Sequence, residues 1–250
     1  MIGDSCVDRF VYGYCNRLSP EAPVPVLSHK ETKEMPGMAG NVVQNIKAFT
    51  NNITFLTQKA ESVKTRYVDA RSNQHIMRFD SGLNSIKNLD YLDISSSKIN
   101  AALKGGYNVV IISDYNKGFL KQKQMLDFTK TINQIVYVDS KKSDVSCFKN
   151  SIIKLNQKEY EAAGATVDET STVIKTMGQR GAAYNGSIYP VQSVEVFDVS
   201  GAGDTFVASF SIFHSVTDDI IGSIKFANKC ASLVVQKKGT YALRCGDLHV

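Results

Sequence analysis

The sequence predicts an α/β layered domain built on a mostly parallel sheet with helices on both faces. The first observation is a series of short apolar or β-branched runs at 53–57 (ITFLT), 108–113 (NVVIIS), 135–139 (IVYVD), 151–155 (SIIKL) and 172–177 (TVIKTM). Their apolarity is continuous rather than alternating, which suits strands buried on both faces. The second is helical spacing between and after them. Residues 40–49 bring Val43, Ile46 and Lys47 to helical spacing behind a glycine-rich entry. Residues 119–132 put Phe119, Leu120, Met125, Leu126, Phe128 and Ile132 largely on one side, and 205–216 and 220–238 read as two long helices. The third is a different texture at 9–35, rich in β-formers and proline, and at 61–80, which alternates as a hairpin does. Its candidate inward residues are Val63, Tyr67, Ile76 and Phe79. These two stretches fit either a small sheet covering one end of the domain or an ordinary antiparallel edge. With no internal repeat or low-complexity linker, a single domain over 1–250 is expected.

Composition narrows the function classes. A chain of 250 residues with 43% hydrophobic and 21% charged residues can bury a substantial core. The net charge of +5 comes from 29 basic and 24 acidic residues and is dispersed, not gathered into the basic stripe that nucleic-acid binding prefers. No nucleic-acid partner and no membrane are expected, since no apolar run approaches the length of a membrane span. The opening MIGDSCVDRF carries Asp4 and lacks the apolar centre of a signal peptide. Five cysteines (Cys6, Cys15, Cys147, Cys230, Cys245) form no C-x-x-C pair, which points to a reducing compartment and a cytoplasmic protein.

The chemistry concentrates in FDVSGAGDTF, residues 197–206. Gly201 and Gly203 permit close backbone approach of a ligand. A helix starting near Asp204 would turn unpaired N–H groups and its positive end towards an anion. Asp204 placed there can accept a proton from a hydroxyl attacking phosphorus, or it can simply cap the helix. The local residues leave both readings open.

The order of motifs along the chain adds a resemblance. DVSGAGDTF (198–206) resembles the D-T-x-G-A-G-D signature of the ribokinase-like (PfkB) carbohydrate kinases. GDSCVDRFVYG (3–13), SPEAPVPVL (19–27), PGMAGNVVQNI (36–46), VKTRYV (63–68), ISDYNKGFL (112–120) and VDSKKSD (138–144) resemble the heptose-7-phosphate kinase branch. LNQKEYEA (155–162) is similar to the N-x-x-E element, and FANKCASLVVQKKGT (226–240) to the closing helix. The resemblance implies a ribokinase-like three-layer sandwich with a small β lid drawn from about 9–35 and 61–80, and no nucleotidyltransferase domain. It implies Asp204 as catalytic base, with the amides of Gly201, Ala202 and Gly203 as anion hole. Asn156 and Glu159 would organise ATP and Mg2+, Glu159 touching the metal through water. Gly178, Gly181, Asn228 and Gly239 would lie beside the nucleotide. Asp8 and Asn41 would bind sugar hydroxyls, although Asp8 also reads as a turn aspartate and Asn41 as a helix N-cap. Arg78 and Lys141, then Lys64 and Arg66, are candidates for a substrate phosphate, which needs charge-assisted partners.

The implied reaction is transfer of the γ-phosphate of ATP to a hydroxyl, the anomeric one first, of a heptose 7-phosphate, a step of ADP-heptose biosynthesis. A homodimer through lid strands is among the implied partners. The chain departs from the pattern in several places. The first strand is very short, Gly37–Met38 stands where the family has a glycine pair, and Ala39–Gly40 where it has an alanine pair. The stretches between Phe49 and Lys64 and between Glu161 and Thr172 are abbreviated, the first by a strand–helix unit. These departures keep two alternatives open: a PfkB-type kinase for another sugar or sugar phosphate, or a non-catalytic sugar- or nucleotide-binding relative.

Overall fold

The strands β1 (Ile2–Gly3), β6 (Val110–Asp114), β7 (Val136–Ser140), β8 (Ser151–Asn156) and β9 (Thr172–Thr176) lie side by side in parallel. The antiparallel pair β10 (Ala182–Tyr184) and β11 (Ser187–Tyr189) completes a seven-stranded sheet in the order β1-β6-β7-β8-β9-β10-β11. The computed structural model describes residues 1–87, 106–163, 166–237 and 239–249.

Continuous apolarity in the strands has the expected outcome, because successive side chains enter different cores. Ile111, Tyr137, Ile152 and Ile174 face one cluster, packed under α1 (Ala39–Ile46), α4 (Ala202–Thr217) and α5 (Ile220–Val235). Ile112, Val136, Val138, Ile153 and Leu155 face the other, closed by Met125 and Phe128 of α2 (Gln122–Thr131) and Ala163 of α3 (Gln157–Ala163). Helix, sheet and helix make three layers, as the strand texture predicts. Stretch 53–57 departs from expectation. It forms no strand, and only Leu56 makes an isolated bridge to Ile2. With β1 reduced to two residues, the neighbouring ladder has too little partner backbone to extend along.

The stretches at 9–35 and 61–80 form the lid: a separate four-stranded sheet in the order β3-β2-β4-β5. Its strands are longer than the sequence suggests, β2 being Ser5–Leu18 and β3 Pro25–Met38, with β4 (Val63–Asp69) and β5 (His75–Ser81) as the expected hairpin. The inward residues need correction. In β4 the buried row is Val63, Thr65 and Val68, while Phe79 of β5 is 57% exposed. Val63 is buried as expected, but a register shift between Tyr67 and Val68 puts Val68 in the buried row in place of Tyr67, and Phe79, paired with Thr65 ahead of the shift, lies exposed on the edge strand β5. The SPEAPV stretch forms the exposed tip of the β2–β3 hairpin, turned by Ser19 N–H donating to the Val24 carbonyl at 2.8 Å.

Besides the crossings before β4 and after β5, the lid hangs from the main sheet at two adjoining points. One is Asp4, between β1 and β2. The other is Met38, which ends β3 and precedes α1. The Asp4 carbonyl accepts from Ala39 N–H at 2.9 Å and ties the two together. Met38 carries φ 56° although it is not glycine, and its side chain is buried in the core. Such a backbone is held only where the surroundings over-determine it. Gly37 supplies the close approach its neighbour cannot, since a Cβ there would stand 2.4 Å from the Asp8 carboxylate.

Candidate active site

The C-terminal ends of β6, β7, β8 and β9 and the N-terminus of α4 open onto a cleft of about 830 Å3, the place where open parallel sheets bind ligands. Asp204 and the glycine turn before it line the cleft, together with Asn156, Gly178, Gly181, Asn228 and Lys141. The sequence reading therefore brings most of its candidates to one place.

Helix α4 begins at Gly201, in the left-handed region at φ 85°, and no side chain caps it. Asp204 thus lies in the first turn, and its carboxylate does not cap the helix. It points instead to two donors from distant elements. Asn41 Nδ2 donates to Oδ2 at 2.8 Å, and the Tyr115 hydroxyl donates to Oδ1 at 2.7 Å. Burial pushes the carboxyl up to about 6, against the opposing effect of these two hydrogen bonds. A carboxyl at that value is ionised at neutral pH yet keeps substantial proton affinity, the balance a general base needs. Of the expected anion-hole amides, that of Ala202 donates to the Val199 carbonyl at 3.2 Å. The amides of Gly203 and Asp204 meet no acceptor among the described residues and point out of the helix end.

Asn41 is not an N-cap. It lies inside α1, which Met38 precedes, with its side chain 2% exposed. Asn45, one turn on, holds it from behind: Asn45 Nδ2 donates to the Asn41 carbonyl at 2.8 Å, and Asn45 Oδ1 accepts from Thr205 Oγ1 at 2.8 Å. Gly201 is needed for this contact, since a Cβ at its positive φ would stand 2.7 Å from Asn41 Nδ2. Gly201→Ala is expected to displace Asn41 from Asp204 and to lower kcat about 10-fold or more, at a melting temperature that falls by a few degrees. Steady-state kinetics beside a thermal melt checks it. Full activity would show that the Asn41 contact is dispensable.

Asn156 and Glu159 satisfy each other at the start of α3. Glu159 N–H donates to Asn156 Oδ1 at 3.0 Å, and Asn156 N–H donates to Glu159 Oε2 at 2.7 Å, a reciprocal capping box. Lys141 then donates to Glu159 Oε1 at 2.6 Å and to Asp139 Oδ1 at 3.2 Å. Lys141 therefore stands with Asn156 and Glu159, and its ammonium also lies over the Tyr115 ring, as does that of Lys64 of the lid. Burial opposes its charge, but Asp139 and Glu159 push its pKa up. Lys154 closes the cluster, donating to Asp139 Oδ2 at 3.0 Å, with its ammonium aimed at the Gly203 turn. Among the described residues no three His, Cys, Asp or Glu side chains converge as a metal cage. The donor set fits Mg2+ carried in by phosphates and touched through water, since each Glu159 oxygen retains a lone pair.

On the lid, Asp8 lies within β2, not in a turn, and accepts from Arg66 Nη1 at 2.5 Å. Pairing in register puts Lys64 opposite Asp8 and Asp80, and Arg66 opposite Arg78, all on one face. Lys64, Arg66 and Arg78 outnumber Asp8 and Asp80 on this face, so it keeps a positive balance and suits an anion. Arg78 is the outer one, with its side chain 53% exposed and both Asp80 oxygens in its fork. Gly178 and Gly181 flank the turn between β9 and β10. Asn228 of α5 donates to the Tyr189 carbonyl at 2.8 Å, so it fastens the helix to β11 while bordering the cleft. Gly239 lies in the turn after α5, outside the residues lining the cleft. Val191, Val194, Val196, Val199 and Val235 form an apolar wall.

Lys154, Asp139, Tyr115 and Asn45 escaped the sequence reading. Lys154 had a signal: a lone charge inside a strand whose neighbours are all buried calls for a partner and a reason. Asn45 stands four residues after Asn41, on the same helix face. For Tyr115 and Asp139 the only hint was their place at the C-terminal ends of strands.

Known proteins agree with this architecture. The Escherichia coli phosphofructokinase-2 crystal structure with potassium superimposes with a TM-score of 0.75 at 15% identity, covering 100% of this chain and 96% of that one. Arabidopsis thaliana ribokinase complexed with ribose and ATP gives 0.70 at 14%, covering 99% and 96%. Both likenesses establish the ribokinase-like fold. In sequence, the chain is 30% identical to the bifunctional protein HldE of Campylobacter curvus over 100% of its own length and 64% of the relative's. It is also 30% identical to that of Helicobacter hepaticus, over 96% and 60%. The chain thus spans somewhat under two thirds of the curated relatives it matches. The profile described as pfkB family carbohydrate kinase matches residues 99–244, more than half of the chain. The chain belongs to the pfkB family of carbohydrate kinases.

Proposed function

We propose that the chain transfers the γ-phosphate of ATP to a hydroxyl of a heptose 7-phosphate, with Asp204 as general base. The observation that carries this reading is the buried carboxylate in the first turn of α4, beside free amides and opposite a buried lysine. The valine wall would take the nucleobase, with the triphosphate reaching the α4 N-terminus. The acceptor would lie beneath the lid, its ring hydroxyls towards Asp8 and Asn41 and its phosphate towards Lys64, Arg66 and Arg78. Asp204 takes the proton of the attacking hydroxyl as that oxygen bonds to the γ-phosphorus. The bond from the γ-phosphorus to the bridging oxygen breaks, ADP keeps the electron pair, and the proton remains on Asp204 until product leaves. The Gly203 and Asp204 amides and Lys154 balance charge on the transferring group, positioning and electrostatics being most of what this chemistry requires. Mg2+, when bound, would neutralise phosphate charge, with Glu159 orienting its waters. Lid closure over the acceptor excludes water and limits hydrolysis of ATP.

The resemblance of the motifs from SPEAPV to SDYNKG supports heptose 7-phosphate, and the opposed arginines of the lid support a phosphorylated acceptor. Similarity to HldE along the whole chain supports a place in ADP-heptose synthesis, and the edge strands β3 and β5 of the lid sheet, which pair on one side only among the described residues, support pairing into a homodimer. The test is a coupled ADP-release assay on D-glycero-D-manno-heptose 7-phosphate, the unphosphorylated heptose, and other sugars and sugar phosphates. A kcat/KM about 100-fold or more higher for the 7-phosphate than for the free heptose is expected from two charge-assisted contacts. Preference for another sugar would replace the substrate. Ligand-induced stabilisation without ADP from any acceptor would replace the enzyme with a binding protein.

A further inference from the structure

We infer that Tyr115 is a positioning residue for Asp204, fixing the carboxylate and setting its proton affinity from a mount anchored at the lid hinge. The inference rests on Asp204 being the base. Tyr115 follows β6 directly, and two features fix its backbone. Its N–H donates to Asp4 Oδ2 at 2.7 Å, and Asp4, fully buried, also takes the N–H of Phe119 at 3.3 Å. Asp4 is the residue from which the lid departs, so hinge and tyrosine share one anchor.

The ring is held as firmly as the backbone. Lys64 of the lid places its ammonium 5.3 Å from the ring centroid, and Lys141 of the Glu159 cluster places its own at 5.5 Å. Each contact is a cation–π interaction. The hydroxyl then has one acceptor in the described structure, Asp204 Oδ1. Burial and the neighbouring Asp204 carboxylate push the phenol well above its ordinary value, so it remains a donor at every working pH. A donor of this kind stabilises the ionised carboxylate and keeps the other lone pairs of Asp204 turned to the acceptor hydroxyl. The other groups that act on Asp204 include Asn41 of α1, which also donates to it, Asp139 of β7, which raises it, and Lys154 of β8, which lowers it; the Cys6 thiol of β2 also lies within its electrostatic reach, and burial pushes that thiol up to about 12. None of these would be removed by a change at Tyr115.

The test is Tyr115→Phe, which keeps the ring that both lysines contact and deletes only the hydroxyl. Protein labelled with 13C at aspartate carboxyls reports the Asp204 titration directly, the resonance being assigned by its loss in Asp204→Asn. The midpoint is expected to rise about one pH unit or more above that of the unsubstituted protein, the size of a charge-assisted hydrogen bond. The acid limb of kcat/KM with heptose 7-phosphate is expected to move with it. At optimal pH, kcat falls about 10-fold while KM for ATP holds, and the melting temperature falls by a few degrees, as the raised midpoint requires. An unchanged midpoint with an unchanged pH profile overturns the inference. Because the titration needs no substrate, it stands apart from the functional reading, which fails instead if Asp204→Asn retains turnover.

Discussion

Asp204→Asn is expected to lower turnover by about 1,000-fold while ATP binds with nearly unchanged affinity. A positioned general base contributes typically 100- to 10,000-fold, and asparagine retains the shape and the contact with Asn41 while losing the proton affinity. Isothermal titration with ATP beside the coupled assay separates the two effects, and turnover within 10-fold of wild type would dismiss Asp204 as the base. The substitution also has an expected effect on stability, opposite in sign to its effect on activity. The carboxyl lies at about 6 when folded, against an ordinary 3.8. A folded value above the unfolded one gives stability that is fully present below about pH 4 and lost as pH rises through 6. Above that range the ionised form costs the native state about 3 kcal/mol. Asp204→Asn should therefore melt higher than wild type at pH 8, and the gap should close towards pH 4. A melting curve lower than wild type at pH 8 would contradict a carboxylate whose burial outweighs its hydrogen bonds. Stability forgone at a site for the sake of chemistry is a common trade.

The layers of this fold were legible because they depend on local texture. Strands buried on both faces must be apolar through their centres, and β6 to β8 obey that rule there, with polar residues gathered at their ends and Lys154 as the buried cation among apolar neighbours. The alternating lid was legible for the same reason, but its inward row only in part: Val63 is buried, whereas the register shift after Tyr67 buries Val68 in its place and the edge position of β5 exposes Phe79. The candidate site divides similarly. The glycine turn and Asp204 form one contiguous stretch, and Asn156 and Glu159 read as a pair three residues apart. What orients them comes from elsewhere: Asn41 and Asp204 are 163 residues apart, and Tyr115 and Asp204 are 89 apart. Such contacts follow from strand order, which no local pattern encodes. Arg78 and Lys141 show the same limit. Each is a cation near the cleft, yet only the register of β5 and the reach of β7 decide which carboxylate each one holds.

Lys154→Met is expected to abolish both stability margin and turnover, and the two losses can be separated. Asp139 is 2% exposed, and although burial pushes its carboxyl up, the ammonium groups of Lys154 and Lys141 hold it below the ordinary value. Deleting Lys154 strands much of that buried charge, and breaking such a pair costs about 3–5 kcal/mol. The double variant Lys154→Met with Asp139→Asn removes both charges, leaves a neutral pair of similar volume, and should recover most of the lost stability. It should not recover turnover. The ammonium aimed at the Gly203 turn is one of the few fixed positive charges at the place where the transferring phosphoryl would sit, and losing one such group costs about 100- to 1,000-fold in kcat. Denaturant melts and the coupled assay on the single and double variants therefore read different things. If the double variant regains both folding and full turnover, Lys154 serves only to neutralise Asp139. If it regains folding alone, the lysine that interrupts an otherwise apolar strand is there for the phosphate.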